Sequence, residues 1–496
     1  MQTPLPLLDG GIRVRVHDLE HPARHPPRRR VGQGDLARRC RGGDGRRRAA
    51  GQYQQSGRHD DRDHHTHAPA PSSRRPPVER LLPTLPMRTR RPPPPGEGDG
   101  GTHPPASPML AIVTRTRRAH RRRWPFVIGG IVVAVGILAV VAIPLASAQL
   151  LLTPHHSLTT AAGSVQSVGE GEITLSRTDA GARPGTYGLT WSADDGPSGE
   201  AVVGPVLRSD ETSITRVFAP TDGTPPVGAK VSLNPNMWTG DPGTALGLDF
   251  EHVEVAGELG AMPAWFVPGD GDTWVLFVHG IDGLRQSGLR PLTTIAEKNL
   301  PTLLITYRND VGAPPSPNGL FSLGEREWRD LEAAADFALA QGAEKILLYG
   351  DSMGGSIVTR FMHESPHAER VVGMVLDAPV LDWSAVIAGQ ADRLHLGWFT
   401  PLVQAVVLWR GDLSLSTLDE LDQTEVFDRL PVLLFQGLAD PLVPHVDSER
   451  FARSLPDAQY VPVPGAGHIQ SWNVDPEGYA QHLTTFLAPF APSAAP

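Results

Sequence analysis

Ser352 stands in the run Gly350-Asp351-Ser352-Met353-Gly354, and two groups able to complete a proton relay follow it in the chain: Asp440 in GLADPLVP and His468 in PGAGHIQSW. A serine hydroxyl is a poor nucleophile until a base takes its proton, and that base must itself be held by a carboxylate. His468 is the candidate base, on a glycine-flanked loop with room to reach back. Asp440 is the candidate acid, because Pro441 and Pro444 fix the loop that carries it. Asp377 and Asp382 are rival acids from an earlier position, and Asp447 is a third. Without such partners, Ser352 reads as the capping residue of a tight strand-to-helix turn, and His468 as an ordinary loop residue. Attack on a carbonyl also needs donors for the developing oxyanion. The backbone N–H groups of Met353 and Ile281 are the candidates, Ile281 following His279 and Gly280 in VHGIDG. His279 precedes the serine and reads as a residue that shapes this loop rather than as the base.

These groups can act together only if a scaffold brings them to one edge. The runs TWVLFVHG (273–280), TLLITYR (302–308), KILLYG (345–350), VVGMVLDAP (371–379), PVLLFQGLAD (431–440) and QYVPVPG (459–465) alternate with amphipathic stretches such as LGEREWRDLEAAADFALAQG. HVEVAGELGAMPAWFVPG ahead of them reads as a meander of strands. Continuous apolar strands alternating with helices predict a mostly parallel sheet covered on both faces. In such sheets chemistry sits at the carboxyl ends of strands, where all the candidates fall. Gly350 and Gly354 bracket a turn between a buried strand and a helix, the setting in which a strained turn lifts a serine hydroxyl above the sheet. Residues 380–430 hold Trp383, Trp398, Phe399 and Trp409 in an apolar stretch. They read either as a cap that supplies a pocket for an acyl or alkyl group, or as helices packed on the sheet.

The order Ser352, Asp440, His468, with VHGIDG upstream, resembles the α/β-hydrolase superfamily over residues 251–490. ITYRNDVGAPPSPNGLFSLGEREWRDLEAA followed by GDSMGG is similar to bacterial members with prolyl-oligopeptidase-like or serine-aminopeptidase-like domains. The resemblance implies an eight-stranded, mostly parallel sheet and hydrolysis through an acyl-enzyme, with no cofactor. The chain departs from the family at YRNDVGAPPS, where YRGxGxS is commoner, so the wall formed by Tyr307 to Pro315 is particular to it. Ester hydrolysis on a small-molecule or lipid-like substrate is the first expectation. Peptide hydrolysis of the prolyl-oligopeptidase or aminopeptidase type is the alternative, although no acidic pair suited to an α-amino group stands out. A non-catalytic scaffold that binds envelope material is a third reading, and it has no use for three intact groups.

Charge divides the chain. Residues 1–125 carry 26 Arg and 11 acidic residues, while the remainder carries 19 basic and 43 acidic ones. The first segment is rich in Arg, Pro, His and Gly, holds no Lys, and lacks apolar periodicity, which predicts a disordered arm. Its arginines are not interleaved with aromatic residues, so no nucleic-acid partner is expected. His64, His65 and His67 with Asp60, Asp61 and Asp63 form a histidine and aspartate cluster in this biased tract, which offers a metal no fixed geometry. No metal site is therefore expected. The single cysteine, Cys40, lies here, leaving the rest without thiol chemistry. Met109 offers a second start, with a basic stretch leading directly into apolar residues.

Residues 126–152 contain no charged side chain and exceed the roughly 20 residues that span a bilayer core. Six arginines between Arg115 and Arg123 precede them, which predicts a single-pass anchor with its N-terminus cytoplasmic and the acidic body outside. Ala146-Ser147-Ala148 matches a signal-peptidase pattern, so secretion after cleavage near Ala148 is the alternative. Residues 153–250 hold short β-prone runs (GEITLSR, TYGLTW, AVVGPVLR, SITRVF, AKVSLN) between turn residues. They predict a β-rich region in which Trp191 and Trp238 serve packing.

Overall fold

Thr273 to Val278 are buried at every position, which only a strand covered on both faces can be. In the computed structural model, which describes residues 110–492 except 157–158, 194–195, 415, 417–418, 420 and 422–423, this strand lies inside an eight-stranded sheet. The expectations placed on residues 1–109, including Cys40, the His64 cluster and the Met109 start, lie outside the described residues.

The chain begins with α1 (Leu110–Leu152). This helix starts within the stretch read from sequence as a disordered arm. Between Leu110 and Trp124 there is neither glycine nor proline, and Ala and Arg are good helix formers, so the helix of the apolar stretch extends back through the basic one. Phe126–Leu152 is long and apolar enough to cross a membrane.

Next come β1 (Thr160–Gly169), β2 (Glu172–Ser176), β3 (Tyr187–Ala193), β4 (Gly196–Ser209), β5 (Ser213–Asp222) and β6 (Lys230–Asn234). They close into a barrel in the order β1-β2-β5-β4-β3-β6, with β6 pairing back onto β1. Its interior holds Val165, Ile173, Leu189, Trp191 and Val203. Arg216 is fully buried there. The cost of burying its charge is offset by hydrogen bonds from the guanidinium to the carbonyls of Gly181, Arg183, Gly185 and Gly204. Those bonds fix the 181–185 loop, which leads directly to the contact with the next unit.

After α2 (Pro242–Leu246) come β7 (Glu251–Gly257), β8 (Gly260–Val267), β9 (Thr273–Val278), α3 (Leu289–Glu297), β10 (Thr302–Leu304), α4 (Trp328–Ala340), β11 (Lys345–Asp351), α5 (Met353–Glu364) and β12 (Val371–Asp377). α6 (Trp383–Arg393) and α7 (Thr400–Gly411) follow, then β13 (Val432–Gly437), α8 (His445–Ser454), β14 (Ala458–Val463), α9 (Ser471–Val474) and α10 (Pro476–Leu487). The sheet order is β14-β13-β12-β11-β9-β10-β8-β7. From β14 to β10 every pairing is parallel, and β8 runs antiparallel to both of its neighbours, β10 and β7. Leu331 and Ala335 of α4 and Ile357 and Phe361 of α5 cover one face. Leu292 of α3 and Leu483 of α10 cover the other. The mostly parallel α/β-hydrolase architecture expected from the strand pattern is the one found, preceded by a β barrel and one long apolar helix.

Candidate active site

Ser352 joins β11 to α5 with φ 51° and ψ −115°, a backbone state unusual for a residue with a side chain. Three backbone hydrogen bonds hold it there: its N–H donates to Asp377 O at 3.0 Å, and its carbonyl accepts from Gly355 N at 2.8 Å and Val380 N at 3.0 Å. Its neighbours must be small. A Cβ on Gly354 would lie 2.1 Å from the carbonyl oxygen of Val278, and one on Gly280 would lie 2.8 Å from the Cβ of Ser352. Gly350 is the penultimate residue of the strand behind the turn, where a Cβ would lie 2.6 Å from Gly354 O. The hydroxyl makes no capping bond to the helix, so the capping-residue alternative loses its defining contact.

The hydroxyl instead meets His468, whose Nε2 is 2.8 Å from Ser352 Oγ. The other ring nitrogen, Nδ1, is 2.8 Å from Asp440 Oδ2. Asp440 Oδ1 accepts the N–H groups of Leu442 at 2.7 Å and Val443 at 3.0 Å, and Gln436 Nε2 approaches Oδ2 at 3.3 Å. Burial alone would raise the Asp440 pKa. Hydrogen bonding and charge from His468, with the two backbone donors, outweigh it and hold the carboxyl below its usual range. Asp440 is thus an ionised, fixed partner for the imidazole. The rival acids are engaged elsewhere. Asp382 caps α6 through Ala385 N, Asp447 lies in the first turn of α8, and Asp377 accepts the Tyr479 hydroxyl at 3.2 Å.

Met353 is the first residue of α5, so its N–H has no acceptor within the helix. Ile281 follows Gly280, at which a Cβ would come within 3.4 Å of Ser352 Oγ. The loop carrying the second candidate donor therefore lies directly beside the hydroxyl. His279 is fully buried, with Nδ1 2.9 Å from Gly280 O and Nε2 2.8 Å from Asp310 Oδ2. Burial, the largest single effect, lowers its pKa, but the charge and hydrogen bond of Asp310, with Gly280 O and Asp351, together outweigh burial and raise it. Both ring nitrogens face acceptors, so a protonated His279 satisfies both. Tyr307 stacks on this ring at 4.5 Å and donates its hydroxyl to Gly280 O at 2.9 Å. The departing loop Tyr307 to Pro315 therefore braces the Ile281 loop from behind.

Several supporting residues are not singled out by sequence. Arg290, on α3, donates from Nη1 to Ile469 O at 2.6 Å and to Asn473 Oδ1 at 3.3 Å, and from Nη2 to Asp351 Oδ2 at 3.3 Å. One buried guanidinium thus links the serine turn to the histidine loop. Its only signal in the sequence is an arginine in an apolar helix with no acid within four positions. Asn473 in turn donates to Thr186 O and Pro235 O of the barrel region, each at 2.8 Å, and Tyr187 donates to Gln470 at 3.1 Å. The barrel is therefore hydrogen-bonded to the segment that follows His468. Burial pushes the Asp351 and Asp377 carboxyls up and Arg290 opposes it at both, while the charge of Asp377 raises Asp351 further. Arg290→Met would leave Asp351 without its cation. A loss of about 3–5 kcal/mol in unfolding free energy is expected by chemical denaturation, with Arg290→Lys recovering part of it.

α6 and α7 follow β12, and Trp383, Val386, Ile387, Val403 and Val407 of these helices belong to the same buried core as one face of the sheet. Trp383 donates its indole N–H to Leu323 O at 3.0 Å. A cavity of about 340 Å³ is lined by Ile281, by Val386 and Ile387 of α6, and by Phe399. Among the described residues no group of three or more His, Cys, Asp or Glu side chains could hold a metal.

Residues 322–425 match the family described as serine aminopeptidase, S33, and residues 408–489 match that described as TAP-like protein. Residues 164–234, within the barrel, match a domain of unknown function. No curated protein sequence matches the chain. Among solved structures, an esterase from Pyrococcus furiosus is similar at 19% identity, covering 51% of this chain and 98% of that one, with a TM-score of 0.42. A thermophilic esterase from Thermogutta terrifontis is similar at 21% identity, covering 49% of this chain and 100% of that one, with a TM-score of 0.36. An esterase from Rhodococcus has 16% identity, covers 48% of this chain and 99% of that one, and has a TM-score of 0.35.

Proposed function

Because the body of this chain belongs to the α/β-hydrolase superfamily, we propose that it is a serine hydrolase that cleaves carboxylic esters through an acyl-enzyme and is held at a membrane by residues 126–152. The observation that carries this reading is the chain of hydrogen bonds from Ser352 through His468 to Asp440, each at 2.8 Å.

In this reading Ser352 Oγ attacks the ester carbonyl while His468 Nε2 takes its proton. Asp440 keeps Nδ1 protonated and stabilises the imidazolium that forms. The carbonyl oxygen becomes an oxyanion facing the N–H groups of Met353 and Ile281. As the tetrahedral intermediate collapses, the C–O bond to the alcohol breaks and His468 gives it the proton. A water molecule, deprotonated by His468, then attacks the acyl-serine and releases the acid. The arginines before residue 126 would keep the N-terminus cytoplasmic and place the site on the outer side. Ala148 is fully buried against the body, which favours a retained anchor over cleavage there.

Peptide hydrolysis is the second reading, favoured by the aminopeptidase family match over residues 322–425. The same three groups cleave amides when the pocket holds a free amine, and the cavity beside Ile281 is mostly apolar instead. Profiling the full chain in detergent against p-nitrophenyl esters of graded length and aminoacyl p-nitroanilides separates the two. Esters are expected to give the higher kcat/KM, and a preference for anilides would transfer the assignment to the peptidase.

A further inference from the structure

The cavity beside Ile281 is not enclosed by the cap alone. Ile143, Ser147, Leu150 and Leu151 of α1 form one side of it. The surface of α1 changes along its length in a way that bears on this. Phe126, Ile131, Val135, Leu138 and Val141 are exposed, whereas Pro144, Ala148 and Leu152 are buried. A bilayer core takes roughly 20 residues of helix, and the apolar segment has 27. The surplus of about two turns falls where the catalytic body covers the helix.

That end of α1 is tied to the site by specific bonds. Phe321 N donates to Leu152 O at 2.8 Å, and Arg410 of α7 approaches Gln149 Oε1 at 3.3 Å. Beyond the helix, His155 N and His156 N donate to Asp282 Oδ1 at 2.6 and 3.3 Å. Asp282 is the residue after Ile281, so the helix terminus and the candidate oxyanion loop are hydrogen-bonded to one another. On the outside of the cap, Leu394, Trp398 and Trp409 are exposed. Trp409 sits on α7, the helix packed along α1, and exposed tryptophans beside a spanning helix suit the interfacial zone of a bilayer.

We infer that the last turns of α1 form a wall of the acyl-binding pocket, and that the substrate is an ester with a lipid-length acyl chain, taken from the bilayer between α1 and α6 towards Ser352. The inference rests on the membrane-held ester hydrolase proposed above and adds the substrate class and the route. The anchor then has two jobs: it sets the pocket mouth at the membrane surface and completes the pocket.

The test uses the full chain in phosphatidylcholine vesicles with p-nitrophenyl esters from acetate to palmitate. Ile143→Trp fills the cavity from the α1 side. The ratio of kcat/KM for decanoate to that for acetate is expected to fall tenfold or more, since each methylene kept from burial costs about fourfold. Ile143→Ala enlarges the same wall and should move the optimum to longer chains, which keeps the test open if the tryptophan variant does not fold. Ile137→Trp, on the exposed stretch of α1, should leave the ratio as in the wild type. An unchanged chain-length profile in both Ile143 variants would overturn the inference while leaving the ester hydrolase standing. Hydrolysis of no ester by the wild-type protein would remove that reading and this one with it.

Discussion

Ser352→Ala is expected to lower kcat for ester hydrolysis by about 10⁴- to 10⁶-fold, measured at saturating p-nitrophenyl ester, with KM changed far less. The reason is specific to the position. Ser352 Oγ is the group on His468 Nε2, so removing it takes away the proposed nucleophile and leaves the proposed base with nothing to deprotonate but water. The backbone at Ser352 is held by Asp377 O, Gly355 N and Val380 N, and alanine keeps those bonds and the same Cβ. The folded state should therefore survive, with circular dichroism and melting temperature close to those of the wild type. A variant that melts normally and has lost turnover separates chemistry from folding.

Asp440→Asn is expected to cost about 10⁴-fold in kcat. An amide at this position offers its N–H₂ or its carbonyl to His468 Nδ1, and the tautomer that leaves Nε2 free to accept the serine proton is no longer enforced. Leu442 N and Val443 N donate to Oδ1, which keeps an amide oxygen on that side and turns the N–H₂ towards the ring. Asp377→Asn is the comparison. Asp377 accepts from Tyr479 and shares buried space with Asp351, so it should change stability and its pH dependence much more than kcat. The sign follows from burial holding its carboxyl above the usual range: the stabilisation is present at acid pH and is lost as pH rises through the folded-state value. Asparagine at 377 should flatten that part of the profile of melting temperature against pH. If Asp377→Asn abolished turnover and Asp440→Asn did not, the assignment of the acid would be reversed.

How much of this was legible in the sequence follows physical lines. Strands buried on both faces, such as Thr273–Val278 and Val432–Gly437, announce themselves because every position must be apolar. The serine turn is legible because its geometry demands glycine at fixed offsets, and Asp440 and His468 because they follow strands in the right order. β1 is harder to see: TAAGSVQSVG is mostly small and polar, and only its pairing with β2 and β6 makes it a strand. The extension of α1 through the basic residues 110–125 was masked by their charge, although nothing in that stretch breaks a helix. Asn473 and Asp282 were not legible, and Arg290 only as an arginine with no acid within four positions. Each acts by joining segments far apart in the chain, as Arg290 joins Asp351 to Ile469, and no local pattern records such a meeting. The wall that α1 gives to the cavity belongs to the same class, since an apolar stretch long enough for a membrane reads as nothing more until its last turns are seen against the cap.

Labelling the full-length protein with a fluorophosphonate and mapping the adduct by peptide mass spectrometry tests the assignment of the nucleophile most directly. The adduct should fall on Ser352 alone, at one per chain, and Ser352→Ala should take no label. Labelling at another serine, or labelling that persists in Ser352→Ala, would contradict it.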